Sequence, residues 1–265
     1  MRFFLQMGHG MMGMNRALLQ QYAAGRDAGV ILWPRTLEQE QVERHAREIH
    51  AIGASVLFDT CFYVPNTERA RILNFPYWND VTFETGAFTG ATGAEFCRRV
   101  IDYQVNILNV TDVLLPGRYT NVRNEEWLAM HRLFADTAAD MGLNRPVYAT
   151  VALGPDVLRD AASINAILDE VTSYPVQGIY FLYRTPNDEY LSTDEGFLVN
   201  LMIAFLSLTL AGKEVIVGYA SQQDLLFAAA GVQTIASGNY RNVRSFSPEI
   251  LESEEEESLI GFVRE

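Results

Sequence analysis

Nine residues of this chain are candidates for a shared chemistry: Asp59, His9, Arg35, Tyr63, Arg118, Arg184, Tyr219, Asn239 and Asn242. Asp59 follows the apolar run Val56-Leu57-Phe58 directly and leads into Cys61-Phe62-Tyr63. Partial removal from water at such a place raises a carboxyl's proton affinity towards that of a general acid or base. The other reading of Asp59 is a turn or helix-capping aspartate. His9 lies between Gly8 and Gly10, where the backbone can approach a ligand closely. It is read either as a proton donor or as a loop histidine bonded to backbone. Arg35, Arg118 and Arg184 carry guanidinium forks that match phosphate oxygens, or they brace loops as ion pairs. Tyr63, Tyr77 and Trp78 can stack on a base, or pack as the core of their own loop. Asn239 and Asn242 lie in the turn Ser237–Asn242, where barrels often hold a phosphate.

What positions these residues is a repeated alternation. Short β-rich runs occur at Phe3–Met7, Val30–Trp33, Ser55–Phe58, Val113–Leu115, Val147–Val151, Ile179–Tyr183, Val215–Gly218 and Thr234–Ala236. They are nearly continuous in apolar residues, as parallel strands buried on both faces are. Helical stretches lie between them. Thr36 with Gln39, Ser192 with Glu195 and Ser221 with Asp224 read as helix starts. Asn124 reads as the cap of the helix containing Trp127, and Gly53 and Gly142 as helix ends. Eight repeats favour a closed α/β barrel, a (β/α)8 TIM barrel, over an open sheet. Each candidate residue then follows a strand and faces the barrel mouth. The long segment Cys61–Gly93 after strand 3 is an insertion rich in aromatics, of the length usual for lids and binding loops. The barrel is expected over 1–247 and an acidic C-terminal helix or tail over 248–265.

The 265 residues suit one barrel. The net charge is −13, of which the segment from Pro248 onward contributes −6. An acidic body is a poor non-specific partner for polyanions, so a nucleic-acid role requires a local basic mouth. The two cysteines, Cys61 and Cys97, have no CxxC spacing, and no HExxH occurs. No metal and no cofactor is expected, and a reducing, cytoplasmic location is. The N-terminal apolar run is too short for a signal peptide, and the apolar stretch Phe197–Gly212 too short for a membrane span. His45 and His50 read as solvated on the polar part of a helix. Asp112, at the opposite rim, reads as structural.

Several segments resemble the tRNA-guanine transglycosylase-like superfamily, nearest its DNA-acting, prokaryotic antiviral DNA glycosylase branch. Phe4-Leu5-Gln6-Met7-Gly8-His9-Gly10 is similar to that family's first strand and glycine turn. Leu57-Phe58-Asp59-Thr60-Cys61-Phe62-Tyr63 resembles the segment whose aspartate touches the target base. Gly218-Tyr219-Ala220-Ser221-Gln222-Gln223-Asp224-Leu225, followed by Ala229-Ala230-Gly231-Val232, resembles a third motif. The family's zinc-binding cysteine cluster is missing. Its strand 8 nucleophile falls near Ala236 or Ser237, and its second base-contacting aspartate near Arg118.

The resemblance implies cleavage of an N-glycosidic bond: a DNA glycosylase that removes a modified base, in phage DNA, and leaves an abasic site. Asp59 is then the catalytic carboxylate and His9 the donor that assists base departure. Arg35, Arg118 and Arg184 bind phosphate or a polar base adduct, Tyr63 and Tyr219 hold a flipped base, and Asn239 and Asn242 contact the sugar-phosphate. Two alternatives stand beside it. One is base exchange in tRNA or DNA, with Asp156 or Asp188 replacing the absent nucleophile. The other is a catalytically inactive barrel that binds nucleic acid or protein. The partner expected is DNA with modified bases rather than tRNA, no membrane is expected, and a homodimer is allowed.

Overall fold

The computed structural model describes residues 1–7, 12–22, 28–64, 67, 70–78, 85–240 and 243–251, and in it strands and helices alternate around a ring. In chain order the elements are β1 (Arg2–Gln6), α1 (Met12–Tyr22), β2 (Ala28–Leu32), α2 (Gln39–Ile52), β3 (Ser55–Phe58), α3 (Ala70–Leu73), α4 (Gly90–Asp102), β4 (Val113–Leu114), β5 (Tyr119–Thr120) and α5 (Glu125–Asp140). Then follow β6 (Val147–Leu153), α6 (Pro155–Arg159), α7 (Ala161–Val171), β7 (Gly178–Tyr183), α8 (Glu195–Leu210), β8 (Glu214–Val217) and β9 (Thr234–Ser237). The fold is an α/β TIM barrel. Every apolar run expected to be a strand forms one, and the short β5 is additional, pairing with the end of β6.

All ladders are parallel, in the order β3-β2-β1-β9-β8-β7-β6-β4. Between β3 and β4 the ring closes without a ladder. Thr111 N–H donates to Val56 O at 2.9 Å, and Tyr119 N–H to Tyr63 O at 2.9 Å. Gln104 fills the gap between these stitches. It sits in a π-helical turn, Tyr103–Ile107, that extends α4. Its side-chain amide donates to Leu114 O at 2.7 Å and accepts from Leu114 N–H at 3.1 Å. A fully buried glutamine thus gives β4 the two bonds a neighbouring strand would give.

Helix starts follow local chemistry, with two departures from expectation. The capping box of α2 is Glu38 with Gln41, not Thr36 with Gln39, because Thr36 Oγ1 accepts from Trp33 Nε1 at 3.0 Å. The cap of α8 is Asp194, whose Oδ1 accepts from Phe197 N–H, while Ser192 Oγ accepts from Asp194 N–H. Asn124 and the Ser221/Asp224 box cap as expected. His45 is buried rather than solvated. Its Nδ1 lies 3.1 Å from Glu48 Oε2, and burial lowers its pKa. His50 Nε2 reaches Leu108 O at 3.1 Å.

The insertion after β3 packs its aromatics on β3, α4 and α5, continuous with the barrel core. Phe62 packs on Phe88 at 4.7 Å and on Phe96 at 5.1 Å, and Trp78 on Phe96 at 5.0 Å. Tyr77 and Trp78 are buried there, so neither presents a face to a base. After β9 the chain returns over the strand C-terminal ends. Phe246 seats on Tyr63, Tyr219 and Tyr119, with centroids 5.0, 5.4 and 6.1 Å away. Glu249 pairs with Arg184, and Leu251 O accepts from Thr67 Oγ1 at 2.6 Å. The acidic segment from Glu252 onward lies outside the described residues. Among the described residues no helix is long and apolar enough to cross a membrane.

Candidate active site at the strand C-terminal ends

Asp59 N–H donates to Leu32 O at 2.8 Å, continuing the bonding of β2 with β3 by one residue. The carboxyl therefore leaves the strand end at a fixed position. Its Oδ1 accepts from Cys61 N–H at 2.8 Å, across a turn in which Cys61 takes a left-handed φ of 56°. Its Oδ2 faces two hydroxyls, Tyr180 Oη at 3.3 Å and Tyr219 Oη at 3.4 Å. One oxygen serves the turn and the other faces a tyrosine cage. Tyr63 Oη is close enough to favour the ionised carboxyl, yet it lies outside hydrogen-bond geometry. Burial dominates and raises the Asp59 pKa above the ordinary carboxylate value. Burial, with Asp59 opposite, also pushes the three tyrosines well above theirs, so their protons stay on.

The cage depends on two backbone features. Gly218 lets the Tyr180 ring pass: a Cβ there would stand 2.5 Å from Leu182 Cδ2 and 2.6 Å from Tyr180 Oη. Tyr219 takes a φ of 53°, uncommon for a residue with a side chain. Its ring tilts against Trp33 at 6.0 Å, and Arg35 lies over Trp33 at 5.3 Å. Arg35 is buried, and its charge partly offsets the rise in the Tyr219 pKa. Tyr180 Oη also reaches Gln6 Oε1 at 3.3 Å. Gln6 is buried, and its Nε2 finds no partner among the described residues.

The structure thus brings together Asp59, Tyr63, Tyr219 and Arg35. It places the other candidates elsewhere. Arg118 turns into the insertion's aromatics, 3.8 Å from the Phe62 ring centroid and 5.5 Å from that of Phe88, and burial pushes its pKa down to about 9. Arg184 is held by Asp188 at 2.6 and 2.9 Å and by Glu249. Asn239 is exposed, its Nδ2 3.4 Å from Asn15 Oδ1. Asp156 is exposed and accepts from Asn121 Nδ2 at 2.6 Å. His9 and Asn242 lie outside the described residues.

Sequence reasoning did not bring Tyr180, Gln6 or Phe246 to the site, and it read Asp224, a further buried carboxyl, only as part of a helix cap. Burial raises Asp224 to about 6, against hydrogen bonds from Tyr183 Oη and from Ser221 N–H at 2.8 Å. It lines a crevice with Tyr183, Tyr219, Arg244 and Phe246 that has room for about one water. A signal was present for two of them. Gln6 and Tyr180 are hydrogen-bonding groups inside otherwise apolar strand runs, and such groups need buried partners. Among the described residues no group of three or more His, Cys, Asp or Glu side chains could hold a metal ion.

No protein-family model matches the chain, and no curated protein matches it. Solved structures do. Citrate synthase SbnG aligns at 12% identity with a TM-score of 0.51, over 91% of this chain and 86% of its own. A phosphonomutase-like protein of Burkholderia cenocepacia aligns at 15% identity and TM-score 0.49, over 89% and 87%. An HpcH/HpaI aldolase/citrate lyase family protein of the same organism aligns at 12% and 0.49, over 89% and 86%. These findings correct the transglycosylase resemblance and the DNA glycosylase reading built on it. The citrate synthase, aligned with a TM-score of 0.51, is the structure that overturns the resemblance, and at 12% identity the likeness is one of fold. The site agrees with the correction. Ser237, near the family's nucleophile position, spends its hydroxyl on Ala220 O. Arg118 is buried, Arg184 is clamped by carboxylates, and Phe246 covers the cage that a flipped base would enter. What the aligned citrate synthase shares with this chain is the TIM-barrel fold.

Proposed function

We propose that the chain is an enzyme of acid–base type, with the cage around Asp59 as its reaction centre and a small carbonyl compound as its substrate. The observation that carries this is the convergence of the Tyr180 and Tyr219 hydroxyls on a carboxyl whose burial favours its protonated form. Uncharged donors in a dry site stabilise negative charge that develops on a carbonyl oxygen. Tyr180 and Tyr219 would donate to that oxygen, the ionised fraction of Asp59 would take the proton from the adjacent carbon and return it to carbon or solvent, its raised pKa making it the stronger base, and Arg35 would supply the nearby positive charge that suits a carboxylated substrate. The reacting group would enter beneath Phe246. The class is isomerase, aldolase or lyase, and the citrate synthase barrel supports it at the level of fold.

The test is exchange of carbon-bound hydrogen in heavy water, followed by NMR, for a panel of 2-oxo acids and simple ketones. The expected result is exchange with the wild-type protein, lost in Asp59→Asn and reduced in Tyr219→Phe. Equal, background exchange for all three proteins on every compound would overturn the proposal.

A further inference from the structure

We infer that α8 carries the contact face of a homodimer, in which two copies pack their α8 helices antiparallel about a two-fold axis. The stretch Gly196–Gly212 contains no charged residue, in a chain of net charge −13. Its inner stripe, Phe197, Leu201, Ala204 and Leu208, is buried against the barrel. That stripe meets the need of a surface helix, whose other face is ordinarily polar. Here the other face repeats the same spacing. Val199, Ile203, Leu206 and Leu210 recur at intervals of four, three and four, and are 55, 49, 46 and 79% exposed. This is the seam spacing of a helix that packs knobs into holes on a second helix. Leu225 and Leu226 extend the patch from the neighbouring turn, at 58 and 40% exposure. A groove of about 260 Å³, lined by Met202, Leu206 and Ala229, lies between.

Area and charge select a second copy as the occupant. The six exposed side chains present on the order of 600 Å² of apolar surface, the upper end of what a monomer leaves bare and most of one side of a standard interface. Copies carrying −13 each repel, so a stable contact needs a charge-free face, and this helix offers one. Antiparallel pairing also sets the helix dipoles opposed. The helix has 16 residues, short of the ~20 that span a bilayer.

Sedimentation of the full chain over a concentration series tests this, with Ile203→Glu, Leu206→Glu and the double variant. The wild-type protein is expected at twice 29.8 kDa. Added salt should tighten the dimer by screening the like charges. Each glutamate should weaken it at least about tenfold, and the double variant should run as a monomer. Both positions are about half exposed, and unchanged circular dichroism and melting would show that the fold is intact. A wild-type monomer at every concentration overturns the inference, as does a double variant that stays dimeric. A monomer that instead co-sediments with phosphatidylcholine vesicles also overturns it, by assigning the face to a lipid surface.

Discussion

Phe246 stands edge-on to Tyr219, centroids 5.4 Å apart at 62°, and the Tyr219 hydroxyl lies 3.4 Å from Asp59 Oδ2. A ring from the last described segment therefore seals a carboxyl set by the third strand. Phe246→Ala removes that seal. The expected cost is about 3 kcal/mol of stability, read from urea unfolding. With water admitted, the Tyr219 pKa falls back towards its ordinary value, so an ultraviolet titration should show one more tyrosine ionising below the unfolding pH. An unchanged titration would mean that Phe246 does not keep the cage dry.

Asp59→Asn separates chemistry from stability. The folded protein raises the Asp59 pKa, so folding favours the protonated form. The stability tied to that group is fully present below the unfolded pKa and is lost as pH rises through the folded one. Asparagine keeps an acceptor for Cys61 N–H and carries no charge to desolvate. At neutral pH the variant should be as stable as wild type or more so, while proton transfer falls about 10²- to 10⁴-fold. A strongly destabilised variant would show that the ionised carboxylate holds the fold together.

Two buried groups pull stability in opposite directions with pH. Asp224 is raised to about 6, so its share of stability is lost as pH climbs from 3.8 through 6. His131 stacks on Trp127, and burial lowers it to about 4, so its share is lost as pH falls from 6.5 towards 4. Each is worth about 3 kcal/mol at full extent. They offset one another, so once Asp59, whose share also falls as pH rises, is replaced by asparagine, denaturant midpoints should change little across this window. In the Asp59→Asn background, Asp224→Asn removes one arm and should expose a steep loss on acidification. A flat profile in that variant would refute the assignment.

Gly218→Ala tests the placement of Tyr180. A methyl group 2.6 Å from Tyr180 Oη must move the ring, at a cost of about 1 to 3 kcal/mol. Activity should fall further than in Tyr180→Phe, because the ring itself shifts. Wild-type turnover in the alanine variant would remove Tyr180 from the proposed reaction centre.

The strands and Asp59 were legible because burial on both faces leaves apolar runs, and a carboxylate immediately after such a run is conspicuous. Arg118 and Arg184 were not, because a strand-end position does not say whether a long side chain reaches the mouth, an aromatic cluster or a carboxylate. Phe246 was hidden for a related reason. Its importance comes from the return of the chain across the mouth, a contact between segments far apart in sequence. Tyr180 was visible as a hydroxyl in an apolar strand, but its partner lies 121 positions away.

The amide of Gln104 also bears on solubility. A strand end with bare N–H and C=O groups is a template on which another chain can add, and β4 of a ring that lacks one ladder has such an end. By occupying both polar groups of Leu114, Gln104 makes that end unavailable for as long as α4 stays docked. A protein that loosens α4 before it loses its strands exposes a sticky edge, and there its misassembly with other copies would begin.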